Sequence, residues 1–487
     1  MNMSAPIPES WTGSDRTPKI AIIGAGMSGI AAVVKLRKAG YSDLTVFEKS
    51  DRVGGTWREN TYPGLSCDIP SRWYSFSFAL NPNWNYRYSY GPEIQAYMED
   101  TAERFAVMDI VRFNTPVRKL DYIGPHWRLT TDNETLDYDI VISATGILHQ
   151  PVRPQIDGLD SFAGDVFHTA QWDHSVALEG KRVGIIGTGS TAAQVIGAIT
   201  DKVGDMFVFQ RTAQWMVPLL QTKYTKFTKR LMRALPSLQK LGYWFYYQVL
   251  IQTFAQATVG SRFWQGMISK WCAYNLRRNV PDPELRRKLT PDYQAGCKRL
   301  LFCSDFYPAI SRDNAHLITA AIECVTAEGI KTTDGELHEL DVLVLATGFD
   351  PSAFILPTQV TGKNGIDLGE IWDSAPRAHR AVAMPDFPNF WMIEGPTGPV
   401  GNLSLITISE NQIDYIISML DKMKQEGLAS IAVKSEAYEQ YNADMLAAVD
   451  HTVWVTGGCS SWYMDKTGKP NLYPFPPEQY LRDMQNP

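Results

Sequence analysis

Short β-branched apolar runs that stop at glycine recur along this chain. The run Lys19-Ile-Ala-Ile-Ile23 ends in Gly24-Ala-Gly26-Met-Ser-Gly29 and passes into Ile30, Ala31, Val33, Val34 and Leu36, apolar positions at helical spacing. That pattern predicts strand, tight turn, helix. The next apolar run, Leu44–Phe47, ends in Glu48. The same grammar returns at Arg182–Ile186, followed by Gly187-Thr188-Gly189-Ser190-Thr191-Ala192, and its second strand, Met206–Phe209, ends in Gln210-Arg211-Thr212. Two further apolar runs, Asp139–Ser143 and Asp341–Leu345, each lead into Ala-Thr-Gly.

In a GxGxxG turn the first glycine permits the bend, the second lets backbone approach a pyrophosphate, and the third allows close helix–strand packing. Gly24, Gly26 and Gly29 supply that set, and the helix that follows offers unpaired N–H groups to phosphates. An acid at the end of the second strand is placed to accept ribose hydroxyls, so Glu48 points to a dinucleotide without a 2′-phosphate. At the second turn, Gly187 and Gly189 recur with Ala192 in third place, and Arg211 with Thr212 replaces the acid. A cation and a hydroxyl suit a 2′-phosphate, so this unit is expected to take NADP(H). The plain alternatives are an ordinary strand-to-helix turn and a surface arginine ending a strand. Two such units in one chain suit hydride transfer from NADPH to a flavin, with FAD carrying the difficult chemistry.

The expected fold class is α/β, with two Rossmann-like dinucleotide-binding domains. The 487 residues, 44% hydrophobic, would by length alone make about three domain-sized units. The two Ala-Thr-Gly runs suggest instead that the chain crosses between domains twice. This gives a discontinuous FAD domain of residues 1–150 and 341–487, and an inserted NADPH domain of 151–340. A net charge of −6 argues against a nucleic-acid partner. The first nineteen residues lack the cationic start and apolar run of a secretory signal, and Leu241–Val259, the most apolar stretch, is interrupted by Gln248, Gln252 and Gln256. Six cysteines, at 67, 272, 297, 303, 324 and 459, show no repeated spacing, which argues against a disulfide framework or a metal site and for a reducing cytoplasm.

Residues of about 221–280 exceed what a nucleotide domain needs. Lys223, Lys226, Arg230 and Arg233 share one helical face, and Tyr224, Phe227, Leu231 and Leu235 another. The aromatic run Tyr243–Tyr247 follows. The expectation is a helical hairpin inserted in the NADPH domain. It is read either as a solvated helix packed on that domain, or as a surface resting on anionic membrane or lining a lipophilic entrance.

No cysteine pair is spaced to take electrons from a flavin, which leaves O2 as acceptor. Phe162-Ala-Gly164-Asp-Val-Phe-His168-Thr-Ala-Gln-Trp172-Asp173 matches FxGxxxHxxxW followed by Pro or Asp, and Gly54-Gly55-Thr56-Trp57, Tyr62-Pro63-Gly64 and Cys67-Asp68 form a second element. In both, the chain resembles the type I Baeyer-Villiger monooxygenases. The likeness runs from Lys19 to about Pro474. It implies reduction of FAD by NADPH, capture of O2 as a C4a-peroxyflavin, and attack on an apolar ketone to give an ester or lactone. Related flavin monooxygenases oxygenate thioethers or amines instead, and a non-catalytic flavoprotein or NADPH-binding module is the rival from another class.

The resemblance also implies roles. In Gly296-Cys297-Lys298-Arg299-Leu300, Arg299 would face the flavin and Lys298 would help hold the 2′-phosphate; guanidinium offers fixed donors and keeps its charge, whereas ammonium is a compact point charge. Arg312 is a competitor for the first role. Asp68 would partner Arg299, or is simply a turn residue. Gly55, Thr56, Trp57 and Tyr74 would contact FAD, though both aromatics could equally be core. Val117 would lie on the adenine side, and Trp462 would close over the nicotinamide cofactor. His168, just before the second glycine strand, is expected to hold the domain junction. Met464–Pro470 departs from the family by being shorter and more charged.

Overall fold

The computed structural model describes residues 17–401 and 403–486; most of the N-terminal stretch discussed above lies outside the described residues. Five parallel strands form the first sheet, in the order Phe390–Met392, Ile140–Ser143, Ile20–Ile23, Leu44–Phe47, Val111–Arg112. Ile20–Ile23 and Ile140–Ser143 are buried throughout, as apolar strands covered on both faces should be. Met27–Lys38 packs beside the long helix Leu405–Glu426 through Ile30, Ile406 and Ile413.

A second five-stranded parallel sheet has the order Ala315–Ile318, Asp205–Phe209, Arg182–Ile186, Val342–Leu345, Asp165–His168. Here the structure corrects a boundary. The run beginning at Asp341, read as the start of the returning flavin-side segment, pairs with both Arg182–Ile186 and Asp165–His168. It is the second sheet's counterpart of Ile140–Ser143, and the chain leaves that sheet only after it.

The two Ala-Thr-Gly ends have a steric role that explains their repetition. Gly24 has φ +104°, and a Cβ there would lie 2.6 Å from the carbonyl oxygen of Ala144; Gly187 has φ +115°, and its Cβ would lie 2.5 Å from that of Ala346. Each strand end therefore lies directly over the first glycine of a turn, and neither Gly24 nor Gly187 has room for a side chain.

The two crossings run side by side. Pro151 bridges Phe349, Val152 N–H donates to Gly348 O at 2.9 Å, and Asp350 N–H donates to Gln150 O at 2.9 Å. His168 is buried beside them, its Nδ1 accepting from Ala170 N–H at 3.0 Å and its ring 6.1 Å from Phe349. Burial lowers its pKa, which favours the neutral imidazole.

The insert is helical: Lys226–Ala234, then Pro236–Leu250 continuing through a π-turn to Thr258, then Arg262–Asn279 after Gly260. It is not confined to the NADPH side. Tyr243, Tyr246 and Tyr247 pack against the first domain's core, while Leu276 joins the second's and Ile268 and Cys272 a small cluster beside it. Among the described residues no helix is long and apolar enough to cross a membrane.

Candidate functional site

Both glycine turns open on helices whose N-caps, Gly26 and Gly189, provide no side-chain hydrogen bond, leaving the helix ends to an anion. Gly29 allows the close packing expected of it: a Cβ there would lie 2.0 Å from Gly24 O. Gly55 lies against Gly26, where a Cβ would come within 3.0 Å of the facing Cα, so two glycines form one cradle. Thr56 and Trp57 begin the short helix Thr56–Glu59 next to it. Trp57 Nε1 donates to Tyr74 OH at 3.0 Å, and Tyr74 OH donates to Met27 Sδ at 3.4 Å, which ties both aromatics to the first turn of the dinucleotide helix.

Glu48 is buried, and its carboxylate accepts Ala25 N–H at 2.7 Å and Ser50 N–H at 2.9 Å. It thus fastens the glycine turn directly, and each oxygen keeps a further lone pair for a ribose hydroxyl. Val117 is buried with Ile23 and Phe47, and its carbonyl accepts from Thr358 Oγ1 at 3.0 Å. This set fits a flavin dinucleotide: backbone cradle, free helix end, carboxylate and flanking aromatics converge on one turn.

At the second turn Thr188 Oγ1 donates to Thr212 O at 2.9 Å, and Ser190 and Thr191 start the helix Ser190–Ile199. That helix also carries the flavin-side loop. Tyr62 OH donates to Gln194 Oε1 at 3.1 Å and also meets Thr191, Gln194 Nε2 donates to Ser66 O at 3.0 Å, and a Cβ on Gly64 would strike Gln194 O at 2.5 Å. Tyr62-Pro63-Gly64 is therefore one docking point between the two nucleotide domains.

Arg211 and Lys298, 87 positions apart in the chain, come together at this site. Burial first, and then the neighbouring Arg211 guanidinium, hold Lys298 below its ordinary pKa. The two cations repel, with Asp292 partly offsetting this at Lys298, and an anion such as a 2′-phosphate would relieve it.

Arg299 Nη2 donates to Asp68 Oδ2 at 2.7 Å, with the side chains 34% and 20% exposed. Asp68 is the main cause of a raised Arg299 pKa, and Tyr463 interacts with the same guanidinium. Tyr463 and Trp462, with rings 4.4 Å apart, line a cleft with Ile147, Phe354, Gly398 and Val400. Trp462 itself is 39% exposed at its mouth. Arg312 lies elsewhere, in a polar hollow with Asp282 and Lys288.

Two features were not foreseen. Cys297 and Cys459 form a disulfide, Cα atoms 6.0 Å apart, where the scattered cysteine spacing argues against a disulfide framework. At a sequence separation of 162, spacing could not reveal the pair; folding brings the Lys298-Arg299 segment against the loop that carries Trp462. The second is Glu394, buried at the end of Phe390–Met392, accepting Ser409 Oγ–H at 3.0 Å, with Ser409 Oγ 3.0 Å from Ser28 Oγ in the dinucleotide helix. Burial raises its carboxyl to about 7. No local motif marks it. Among the described residues no cluster of His, Cys, Asp or Glu could hold a metal ion.

Residues 17–275 match the family described as flavin-binding monooxygenase-like. Over 93% of its length the chain is 37% identical to a Baeyer-Villiger monooxygenase of Streptomyces coelicolor, covering 87% of that protein. The chain belongs to the Baeyer-Villiger flavin monooxygenases. This monooxygenase is also 46% identical, over 97% of its length, to 95% of an uncharacterized monooxygenase of Mycobacterium tuberculosis. Its fold matches cyclohexanone monooxygenase from Rhodococcus bound to NADP+, with a TM-score of 0.85, 30% identity and 97% of each chain covered.

Proposed function

We propose that this monooxygenase binds FAD at Gly24–Gly29 and NADPH at Gly187–Ala192, and inserts one atom of O2 beside the carbonyl of an apolar ketone to give an ester or lactone. The observation that carries this reading is Arg299 held by Asp68 at 2.7 Å next to Tyr463 and the cleft. When bound and reduced by NADPH, FAD supplies the activation of O2.

The chain's own residues supply the rest. Arg299 presents a permanent cation to the negative charge that develops on the carbonyl oxygen, and Asp68 fixes the guanidinium in place so that little reorganisation is needed. Arg211 and Lys298 hold the 2′-phosphate, and Trp462 and Tyr463 cover the cleft to keep out water. Ile147, Phe354, Val400 and Leu472 give the cleft an apolar wall, which suits a lipophilic ketone.

The test is product analysis with NADPH, O2 and a panel of linear, cyclic and aryl ketones plus a thioether. Esters or lactones are expected. Sulfoxide without any ester would replace this reading with heteroatom oxygenation.

A further inference from the structure

The helices of the insert each turn large apolar side chains outward. On Pro236–Leu250, Tyr243, Tyr246, Tyr247 and Leu250 face the core, while Leu241, Trp244, Phe245 and Val249 are 57%, 56%, 53% and 40% exposed. On Arg262–Asn279, Ile268, Cys272 and Leu276 face inward, and Phe263, Met267 and Tyr274 are 68%, 48% and 54% exposed. Phe227, on the preceding helix, is 74% exposed. Soluble proteins rarely leave so many large apolar side chains of one segment in water without a partner.

The same segment has an unusual charge. From Met206 to Pro281 there are eleven Lys or Arg and no Asp or Glu, in a chain whose net charge is −6. Among the described residues no ion pair joins any of these cations to a carboxylate. Lys226, Arg230, Lys240, Arg262, Lys270 and Arg277, on the same three helices as the apolar side chains, are all exposed. Exposed aromatics on helices that also carry exposed, unneutralised cations match the headgroup boundary of an anionic bilayer.

We propose that this insert docks the monooxygenase on the surface of an anionic lipid bilayer. The exposed rings enter the headgroup boundary, and the lysines and arginines meet lipid phosphates. The helices lie on the bilayer and do not cross it. A second copy of the chain fits this face poorly, because a two-fold interface would set like charges against each other. Docking would also bring lipid near the reaction site: Phe254 of the insert lies 5.0 Å, ring to ring, from Phe302, three residues after Arg299.

Vesicle flotation of the FAD-loaded enzyme tests this, using phosphatidylcholine alone and phosphatidylcholine mixed with phosphatidylglycerol. The enzyme should float with the anionic vesicles at low salt and largely stay behind with the neutral ones, and about 0.5 M NaCl should release most of it. Lys226→Glu combined with Arg230→Glu should reduce the bound fraction about tenfold, and Trp244→Ser with Phe245→Ser should also reduce it while NADPH-dependent turnover of a water-soluble ketone persists. Failure to float with anionic vesicles at low salt would overturn the proposal. So would variants that float like the parent, or a face that instead binds an oligonucleotide or mediates dimerisation lost in the Trp244→Ser, Phe245→Ser variant.

Discussion

Asp68 and Arg299 meet at 2.7 Å across 231 residues of sequence, joining the flavin-side loop to the Lys298-Arg299 segment within the second nucleotide domain. The pair aims the guanidinium and also ties the two domains together. Asp68→Asn keeps the shape and removes the charge. It is expected to cost about 1–3 kcal/mol, toward the low end because Arg299 is 34% exposed. Denaturant unfolding measures that loss, and the variant should retain FAD while losing most ester formation.

Arg211 and Lys298 should act as one phosphate site. Arg211→Ala and Lys298→Ala are each expected to raise KM for NADPH by about tenfold or more, with little change for NADH, because only NADPH has the 2′-phosphate. The sign of the pH effect follows from Lys298. Its pKa is lowered by burial and by Arg211, so rising pH removes its proton earlier than for an ordinary lysine, and NADPH affinity falls with it. Removing Arg211 raises the Lys298 value, so the fall in Arg211→Ala should move to higher pH. Steady-state KM for both cofactors across pH checks the shift.

Glu394 should shape stability against pH. Its carboxyl titrates at about 7 in the fold against 4.5 ordinarily, so between these values the folded state holds a proton that the unfolded chain has released. Its contribution is fully present below 4.5 and is lost as pH rises toward 7. The difference amounts to at most about 3 kcal/mol. Thermal stability of the parent should fall from about pH 4.5 to 7 more steeply than that of Glu394→Gln, which cannot ionise. Parallel curves would show that the parent buries no ionising carboxyl there.

The Cys297–Cys459 bond leaves Cys67, Cys272, Cys303 and Cys324 as free thiols. Alkylation of denatured, unreduced protein should label four cysteines, and prior reduction should raise the number to six. Six labels before reduction would show that the bond is absent from the isolated protein.

Local features were the legible ones. The glycine turns could be read directly because a strand, a positive-φ glycine and a helix are consecutive in the chain, and the insert's helices announced themselves by periodicity. What depends on residues far apart was less visible. Val342–Leu345 reads like any buried strand, and only its pairing with Arg182–Ile186 and Asp165–His168 assigns it to the second sheet. Helical spacing suggested an apolar face of Tyr224, Phe227, Leu231 and Leu235, yet Tyr224 packs beneath Arg72 while Phe227 points to solvent, because the helix starts only at Lys226. Glu394 belongs to no motif; three elements meeting in the core give it its surroundings. Asp68 and Arg299 were paired through family likeness, and the structure supplies the contact.

The most direct test of Arg299 as the cation at the reacting centre is the amount of ester formed per NADPH consumed, in Arg299→Ala against the parent. The parent should form close to one ester per NADPH with a good ketone substrate, and the variant should go on consuming NADPH while forming almost none. A variant that keeps the parent's ratio would contradict the account.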